Sequence, residues 1–277
     1  MRPRKVLTFV AFLLSLSCSA VSAAALTFTW DPAGANPSLG GTSFTADSMT
    51  LTNYLFGVVQ TNGLTPEHLI QPITSFQRNG SSVAVAGLGT TFGLYFDINA
   101  LFSTVGGPHF DSLDVRLMAD RNADNGTVSS TLAGVSFSNA AGVANDFQLA
   151  HGTLVAAMVA LDPATGIRHA HFLDTFVPEP NQAGFFVTPG AGVPVLLQID
   201  LTTPPDSFQA IPQPDGTTIQ LVNNGAGTAV LVPEPGSFGL LAGGIALLVL
   251  ARYRHTGRGR KRIPSQSGEA AAGAESA

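Results

Sequence analysis

The sequence contains almost no cysteine. Its only cysteine, Cys18, lies in an apolar N-terminal stretch that we expect to be removed. The mature chain would then contain no thiol. This excludes disulfide bonds and thiol catalysis as parts of its chemistry.

Charged residues are also scarce, and basic residues are almost absent from the middle of the chain. Asp, Glu, Lys and Arg make up 11% of the 277 residues, which is about half the usual share. The stretch 26–232 has fifteen acidic and four basic residues, so its formal net charge is −11. Binding to phosphates requires a clustered basic surface, and we therefore expect no nucleic-acid partner.

Glycine, proline and apolar residues are abundant. The 30 Gly and 18 Pro indicate many turns, and a hydrophobic content of 45% is enough for a core. Polar and apolar residues alternate with a period of two in stretches such as 113–117 and 195–201. About a dozen such segments predict an all-β fold, an antiparallel β-sandwich whose topology, jelly-roll or immunoglobulin-like, stays open. Only Thr65-Pro66-Glu67, a capping residue followed by proline, suggests a short helix.

The predicted strands cover most of the body of the chain. They comprise residues 26–30, 48–56, 82–86, 91–98, 113–117, 127–137, 147–160, 168–176, 185–188, 195–201, 217–222 and 228–232.

The first 25 residues have the order of elements found in a secretory signal peptide. Basic residues precede an apolar run at 6–16, and small residues follow this run. We expect an N-terminal signal helix that is cleaved after Ala23 or Ala25. The apolar run is too short to cross a hydrocarbon core of about 30 Å as a helix.

The C-terminal region contains a Pro-Glu-Pro motif, an apolar run and a basic cluster, in that order. The motif is Val232-Pro233-Glu234-Pro235, and the apolar run at 236–251 predicts a transmembrane helix. The positive-inside rule keeps the basic cluster at 252–262 on the cytoplasmic side and leaves the motif outside. The remaining residues, 263–277, have a composition typical of disorder. The basic cluster consists of Arg252, Arg254, Arg258, Arg260, Lys261 and Arg262.

These three elements together resemble the sorting tail of PEP-CTERM proteins. The resemblance implies recognition and processing by an exosortase-type enzyme in the inner membrane. It also implies that the C-terminal helix anchors the exported chain in that membrane before processing, and that the product then belongs to the cell surface or extracellular matrix. A second copy, Val177-Pro178-Glu179-Pro180, is followed by neither an apolar run nor a basic cluster. We interpret this copy as a rigid loop.

The body of the chain resembles the flocculation-associated PEP-CTERM proteins of floc-forming bacteria at residues 28–32, 41–47, 87–95 and 225–227. This resemblance implies a non-enzymatic protein that promotes floc or biofilm formation together with exopolysaccharide. The predicted organisation is a signal peptide at 1–25, a secreted β-sandwich domain at 26–232, a sorting tail at 233–262 and a disordered tail at 263–277.

Two alternative functions stay open at this stage. In a carbohydrate-binding module, Trp30, Tyr54 and Tyr95 would supply stacking rings. In a secreted metal-dependent enzyme, His169 and His171 would ligate zinc or copper from one face of a strand. Asp174 lies on the opposite face of that strand and would point away from the two imidazoles.

The segment 120–126 offers oxygen ligands at Asp120, Asn122 and Asp124, as a calcium-binding loop does. It lacks the glycine and the bidentate glutamate of an EF-hand, so we favour a hairpin turn at Asn125-Gly126. No cofactor is therefore predicted, with calcium as the open alternative. No nucleophile elbow, P-loop or dinucleotide-binding pattern is present in the sequence, and we predict that the protein is not an enzyme.

Overall fold

The computed structural model describes residues 25–190 and 192–234. Strands dominate this part of the chain, and none of its helices is long and apolar enough to cross a membrane. Several predictions lie outside the described residues. These are the signal helix, Ala23, Pro235, the apolar run at 236–251, the basic cluster at 252–262 and the tail at 263–277.

The described elements are numbered in chain order. The strands are β1 (Phe28–Trp30), β2 (Phe44–Ala46), β3 (Ser48–Val59), β4 (Leu64–Arg78), β5 (Ser81–Val83), β6 (Phe92–Ser103), β7 (His109–Arg121), β8 (Val128–Thr131), β9 (Gly134–Phe137), β10 (Phe147–Leu161), β11 (Arg168–Pro178), β12 (Phe186–Thr188), β13 (Val195–Thr203), β14 (Phe208–Pro212) and β15 (Thr218–Pro233). The helices are α1 (Pro32–Ala35), α2 (Ala140–Val143) and 3-10 helices at Pro37–Leu39, Pro180–Phe185 and Pro205–Ser207.

Eight antiparallel strands form a closed β-barrel in the order β3, β4, β6, β7, β10, β11, β13 and β15. The last strand, β15, closes the ring because residues 226–233 pair with β13 and residues 218–229 pair with β3. The predicted sandwich is therefore wrong, since a sandwich would leave the outer edges of its two sheets unpaired. A barrel and a sandwich both bury one face of each strand, and the alternation of residues does not distinguish them.

The structure is mostly β, as predicted, but some strand assignments are wrong. The segments 217–222 and 228–232 belong to one strand, β15, whose register against β3 shifts between Val222 and Gly225. The segment 127–137 is a hairpin of β8 and β9. Thr65-Pro66-Glu67 lies in β4 and not in a helix. Pro66 lies one residue beyond the last pair between β3 and β4, where a strand tolerates a residue without an N–H group.

A small sheet of β1, β2 and β12 closes one end of the barrel, which we call the plugged end. Its centre is Trp30, which is fully buried, with its ring centroid 5.1 Å from Phe185 and 5.7 Å from Phe76. The backbones of α1 and the 3-10 helix at Pro180–Phe185 also approach closely there. A Cβ added to Gly34 would lie 2.3 Å from the carbonyl oxygen of Gly184, so this contact requires glycine. The rings of this end belong to Phe28, Trp30, Phe44, Phe76, Phe176, Phe185 and Phe186.

At the opposite end, which we call the open end, the strands are joined by the segments 60–63, 104–108, 162–167 and 204–217. Strands β3, β6, β10 and β13 end there, and β4, β7, β11 and β15 begin there. No additional sheet of the described residues lies across this end.

The hairpin of β8 and β9 packs against the outside of the barrel and forms a second, smaller core. Val135 is buried with Ile70 and Tyr95, and the Tyr95 ring lies 4.8 Å from that of Phe137. The Ser130 hydroxyl donates a hydrogen bond of 2.9 Å to the carbonyl oxygen of Val222 in β15. The hairpin thus covers part of the outer face of β3, β4 and β6. Because the plugged end is filled, the open end is the accessible part of the barrel interior.

Candidate functional site

A cavity of about 190 Å³ occupies the open end of the barrel. An apolar cavity of about 150 Å³ holds a benzene ring, so this volume is sufficient for a small ring compound. Most of the wall is apolar because the inward positions of the strands are aliphatic or aromatic. The principal apolar wall residues are Leu55, Leu69, Phe102, Phe110, Phe172 and Leu201.

Polar side chains interrupt this apolar wall at a few inward positions. Asn53 on β3 and Thr203 at the end of β13 are both buried. Gln71 lies deeper on β4, fully buried, and its Nε2 donates a hydrogen bond of 3.4 Å to Oδ1 of Asn53. Gln71 Oε1 has no partner within the described residues. The floor of the cavity is therefore polar on the side of β3 and β4.

Glu67 is the acidic residue of the cavity lining. It lies on the inward face of β4 opposite Gly57 of β3, and a Cβ added to Gly57 would lie 3.2 Å from Cγ of Glu67. Burial raises the pKa of Glu67 to about 7. Within the described part of the chain the Glu67 side chain has no hydrogen-bond or ion-pair partner. Its carboxyl is therefore available to a molecule in the cavity.

Arg168 supplies the positive charge at the rim. It is the first residue of β11, and its guanidinium carbon lies 3.5 Å from the centre of the Phe208 ring on β14. This distance is well within the range of a cation–π contact. The contact holds the guanidinium against Phe208, so Arg168 already has a partner where Glu67 has none.

A second carboxyl group lies deeper in the barrel. Asp174 faces inward between Phe172 and Phe176 on β11 and is fully buried. Neither of its carboxylate oxygens has a hydrogen-bond partner within the described residues. Burial raises the pKa of Asp174 to about 7. Asp174 is not part of the cavity wall.

The two histidines considered as metal ligands lie on the outward face of β11. His171 Nδ1 is hydrogen-bonded to Oδ1 of Asp200, and His169 Nδ1 lies 3.5 Å from the Thr202 hydroxyl. Asp174 is on the inward face of the strand, as the alternation predicts. The described residues contain no group of three or more His, Cys, Asp or Glu side chains placed to hold a metal ion.

The predicted oxygen ligands Asp120, Asn122 and Asp124 lie at the end of β7 and in the turn that follows. Asp120 Oδ1 accepts a hydrogen bond of 3.1 Å from the backbone N–H of Asp124. Burial raises the pKa of Asp120 to about 6, and the nearby carboxylates of Asp146 and Asp124 raise it as well. The predicted hairpin turn at Asn125-Gly126 is wrong because β8 pairs with β9 and not with β7. The backbone instead adopts positive φ at Asn122, at 72°.

The three rings considered for carbohydrate stacking do not lie together on an exposed surface. Trp30 is fully buried in the plugged end. Tyr95 is 5% exposed beneath the hairpin, and its hydroxyl donates a hydrogen bond of 2.6 Å to Asp146. The Tyr54 hydroxyl donates a hydrogen bond of 2.8 Å to Asn224. These positions do not form a stacking platform.

The two Pro-Glu-Pro copies differ in their surroundings. Val232 and Pro233 end β15, and Pro233 pairs with Val195 in the wall of the barrel. The second copy is not a loop, because Val177 and Pro178 end β11 and Pro180 begins a 3-10 helix. Its glutamate, Glu179, is bound to Nδ1 of His151 at 2.6 Å. A structural role is therefore evident for the second copy.

The sequence reasoning missed Glu67 and Arg168 as site residues. Both occupy inward positions whose neighbours on the same strand face are apolar, such as Leu69 and Ala170. A charged residue on the apolar face of a strand is the signal that indicates such a position. The expected helix at Thr65-Pro66-Glu67 concealed that signal for Glu67.

Comparison of the chain with family models, curated proteins and solved structures returned no match.

Proposed function

We propose that this chain is an exported, non-enzymatic binding protein of the cell surface or extracellular matrix. It promotes floc or biofilm formation together with exopolysaccharide. The observation that carries the binding function is the cavity at the open end, which combines an apolar wall with an unpartnered carboxyl group at Glu67. Export and sorting rest on the signal predicted at 1–25 and on the resemblance of residues 232–262 to an exosortase substrate.

The hydrogen bonds of the histidines support binding over catalysis. Four histidines of the described residues are paired with carboxylates. None of these imidazoles hydrogen-bonds a serine hydroxyl in the described part of the chain. A hydrolase with a serine nucleophile needs such a contact to activate the hydroxyl. The pairs are His68 with Asp97, His109 with Asp111, His151 with Glu179, and His171 with Asp200.

The acidic surface adds a condition to the matrix function. The stretch 26–232 has a formal net charge of −11, so an acidic polysaccharide repels it. Dissolved cations screen such repulsion beyond a Debye length of about 8 Å at physiological ionic strength. Flocs that contain this protein are therefore expected to loosen when divalent cations are chelated.

Processing at the C-terminal motif is tested by replacing each Pro-Glu-Pro triplet with Ala-Ala-Ala in the full-length chain. Replacement of Pro233-Glu234-Pro235 is expected to leave the precursor uncleaved, because this copy precedes the apolar run and the basic cluster. Replacement of Pro178-Glu179-Pro180 is expected to leave processing intact. A tag before Val230 reports the size of the product on a blot. Equal retention of precursor in both variants contradicts the sorting function.

The binding function is tested by complementation of a strain that lacks the gene. Ala170 faces the cavity, and Ala170→Leu adds a larger side chain to that space. Ala160 is exposed on the outer face of the neighbouring strand β10, so Ala160→Leu is the matched control. We expect the intact gene and Ala160→Leu to restore flocs and Ala170→Leu to fail at an equal protein level. A chain that ends at Val232 is expected to escape into the medium and also to fail.

A deletion strain that still flocculates normally contradicts the matrix function. Full rescue by Ala170→Leu contradicts a role for the cavity in flocculation. Thermal unfolding of the purified variants distinguishes a filled cavity from a chain that has failed to fold.

A further inference from the structure

The unpartnered carboxyl of Glu67 indicates what the cavity binds. Glu67 is half-buried at the cavity wall, and its carboxyl has no partner among the described residues. Partial loss of hydration disfavours the ionised form, and a ligand that donates a hydrogen bond or carries a positive charge offsets that cost. The residue opposite Glu67 on β3 is Gly57, which has no side chain that could crowd the Glu67 side chain. No side chain of the described residues competes with a ligand for this carboxyl.

Aromatic rings form the wall next to this polar group. The Phe110 ring centroid lies 5.2 Å from that of Phe102 and 5.0 Å from that of Phe172, with both pairs in edge-to-face geometry. Such a wall packs well against the ring of a ligand. Ring faces also attract cations, so the wall favours a positively charged group over a negatively charged one.

Arg168 is the residue that would favour an anion instead. Its guanidinium stacks on Phe208 at 3.5 Å, so the ring already offsets part of its charge at the rim. Among the described residues, the only other titratable residue on the cavity lining is His169, whose side chain faces outward beside Thr202. Glu67 is thus the charged residue of the wall that has no hydrogen bond, ion pair or ring contact with another side chain of the described residues.

We propose that the cavity binds small cationic amines that carry an aromatic ring. The ammonium group donates hydrogen bonds to the Glu67 carboxylate, and the ring packs against Phe102, Phe110 and Phe172. This inference rests on the binding function proposed above and specifies its ligand class. The contact is non-covalent, and no bond is formed or broken.

The inference is tested by titrating the purified full-length chain at pH 8 with benzylamine, benzyl alcohol and benzoate in a calorimeter. These probes share one ring and differ in the charge of the polar group. We expect benzylamine to bind about tenfold more tightly than the other two, since charge-assisted hydrogen bonds are about twice as strong as neutral ones. Glu67→Gln is expected to abolish that preference while benzyl alcohol still binds. Asp114→Asn, which removes an exposed carboxylate on β7, serves as the control and should leave the preference unchanged.

A second measurement needs no substitution at the site. Because the pKa of Glu67 is about 7, its carboxyl is mostly protonated at pH 6 and mostly ionised at pH 8. Benzylamine, which is a cation at both pH values, should bind the unaltered chain about tenfold more tightly at pH 8, which is the ratio of the ionised fractions of Glu67 at the two values. Benzyl alcohol should show no such increase.

The outcomes distinguish a wrong ligand class from a wrong binding function. If benzyl alcohol or benzoate binds as tightly as benzylamine, the amine class is wrong and the cavity still binds small molecules. If Glu67→Gln keeps the preference, Glu67 is not the recognition group and the inference is also wrong. If none of the three probes binds, both the ligand class and the binding function of the cavity are overturned.

Discussion

The two ends of the barrel differ in how their interior is filled. At the plugged end, aromatic rings pack around the fully buried Trp30, and the nearest centroids are 4.6 Å apart. At the open end, Phe102, Phe110 and Phe208 are only partly buried, and a cavity of about 190 Å³ remains beside them. The same wall of eight strands supports both ends.

This difference separates stability from binding within one fold. A packed interior gains dispersion energy and buries apolar surface away from water, so we expect the plugged end to contribute more to stability than the open end does. The open end is less stabilised by packing because it contains a cavity, and its Glu67 side chain has no partner among the described residues. Regions that bind ligands are commonly the less stable parts of a protein. We therefore expect substitutions at the two ends to have distinct effects on stability and on binding.

The largest effect on stability is expected from Trp30→Ala. Trp30 is fully buried and its ring contacts those of Phe28, Phe44 and Phe185. Removal of such a side chain costs about 3–5 kcal/mol of the free energy of unfolding. Denaturant unfolding of the full-length chain measures this loss.

The matched substitution at the open end is Phe102→Ala, whose expected cost is below about 2 kcal/mol because the ring is only partly buried beside Phe110. Equal losses for Trp30→Ala and Phe102→Ala would contradict the division of roles between the two ends. If Phe102→Ala stays folded but no longer binds benzylamine, this would support the assignment of ligand binding to the open end.

The pH dependence of stability is expected to reflect the buried carboxyl of Asp174. Its pKa is about 7 in the folded chain and about 3.9 when unfolded. The folded state binds this proton more tightly, so stability is highest below the unfolded pKa and falls as the pH rises through about 7. The upper limit of the loss at Asp174 is about 4 kcal/mol. Glu67 and Asp120, whose pKa values are also raised, act in the same direction.

Asp174→Asn is therefore expected to lose less stability between pH 5 and pH 8 than the unaltered chain does. Denaturant midpoints at several pH values measure the slope. Asp206→Asn, which removes an exposed carboxylate in the 3-10 helix Pro205–Ser207, is the control and should keep the original slope. An unchanged slope in Asp174→Asn would show that this carboxyl does not dominate the pH response.

The smallest effect is expected from Arg168→Met at the rim. This change keeps a long apolar side chain near Phe208 and removes the cation–π contact at 3.5 Å. Such contacts contribute about 0.5–1 kcal/mol at exposed sites. The midpoint of thermal unfolding should therefore shift only slightly, and benzoate should bind this variant more weakly than it binds the unaltered chain. A loss as large as that of Trp30→Ala would mean that the rim is a structural element.

The sequence predicts the strands of this fold better than their arrangement. Alternating residues in 113–117 and 195–201 correctly indicate β7 and β13, because one face of each strand is apolar. Closure depends on the pairing of β15 with both β3 and β13, which are distant in the sequence. Local alternation contains no information about such a partner, and the number of strands alone suits a sandwich as well as a barrel.

The candidate site was harder to predict than the strands for a different reason. Thr65-Pro66-Glu67 has the local pattern of a helix start, and long-range pairing with β6 overrides it. The spacing of His169 and His171 suggests a pair of metal ligands, but both side chains lie on the outward face of β11. Glu67 and Arg168 come together only through the closure of the barrel, which brings β4 and β11 to the same interior.

Both termini of the described body lie at the plugged end. The backbone N–H of Leu26 donates a hydrogen bond of 2.7 Å to the carbonyl oxygen of Leu231, and Pro233 pairs with Val195 at the start of β13. The chain therefore enters and leaves the barrel beside the aromatic plug, a full strand length from the cavity mouth. Any segment joined to either end of the described body is attached at the aromatic plug and not at the cavity mouth. The cavity mouth thus lies at the end of the barrel opposite the two points where the described body begins and ends.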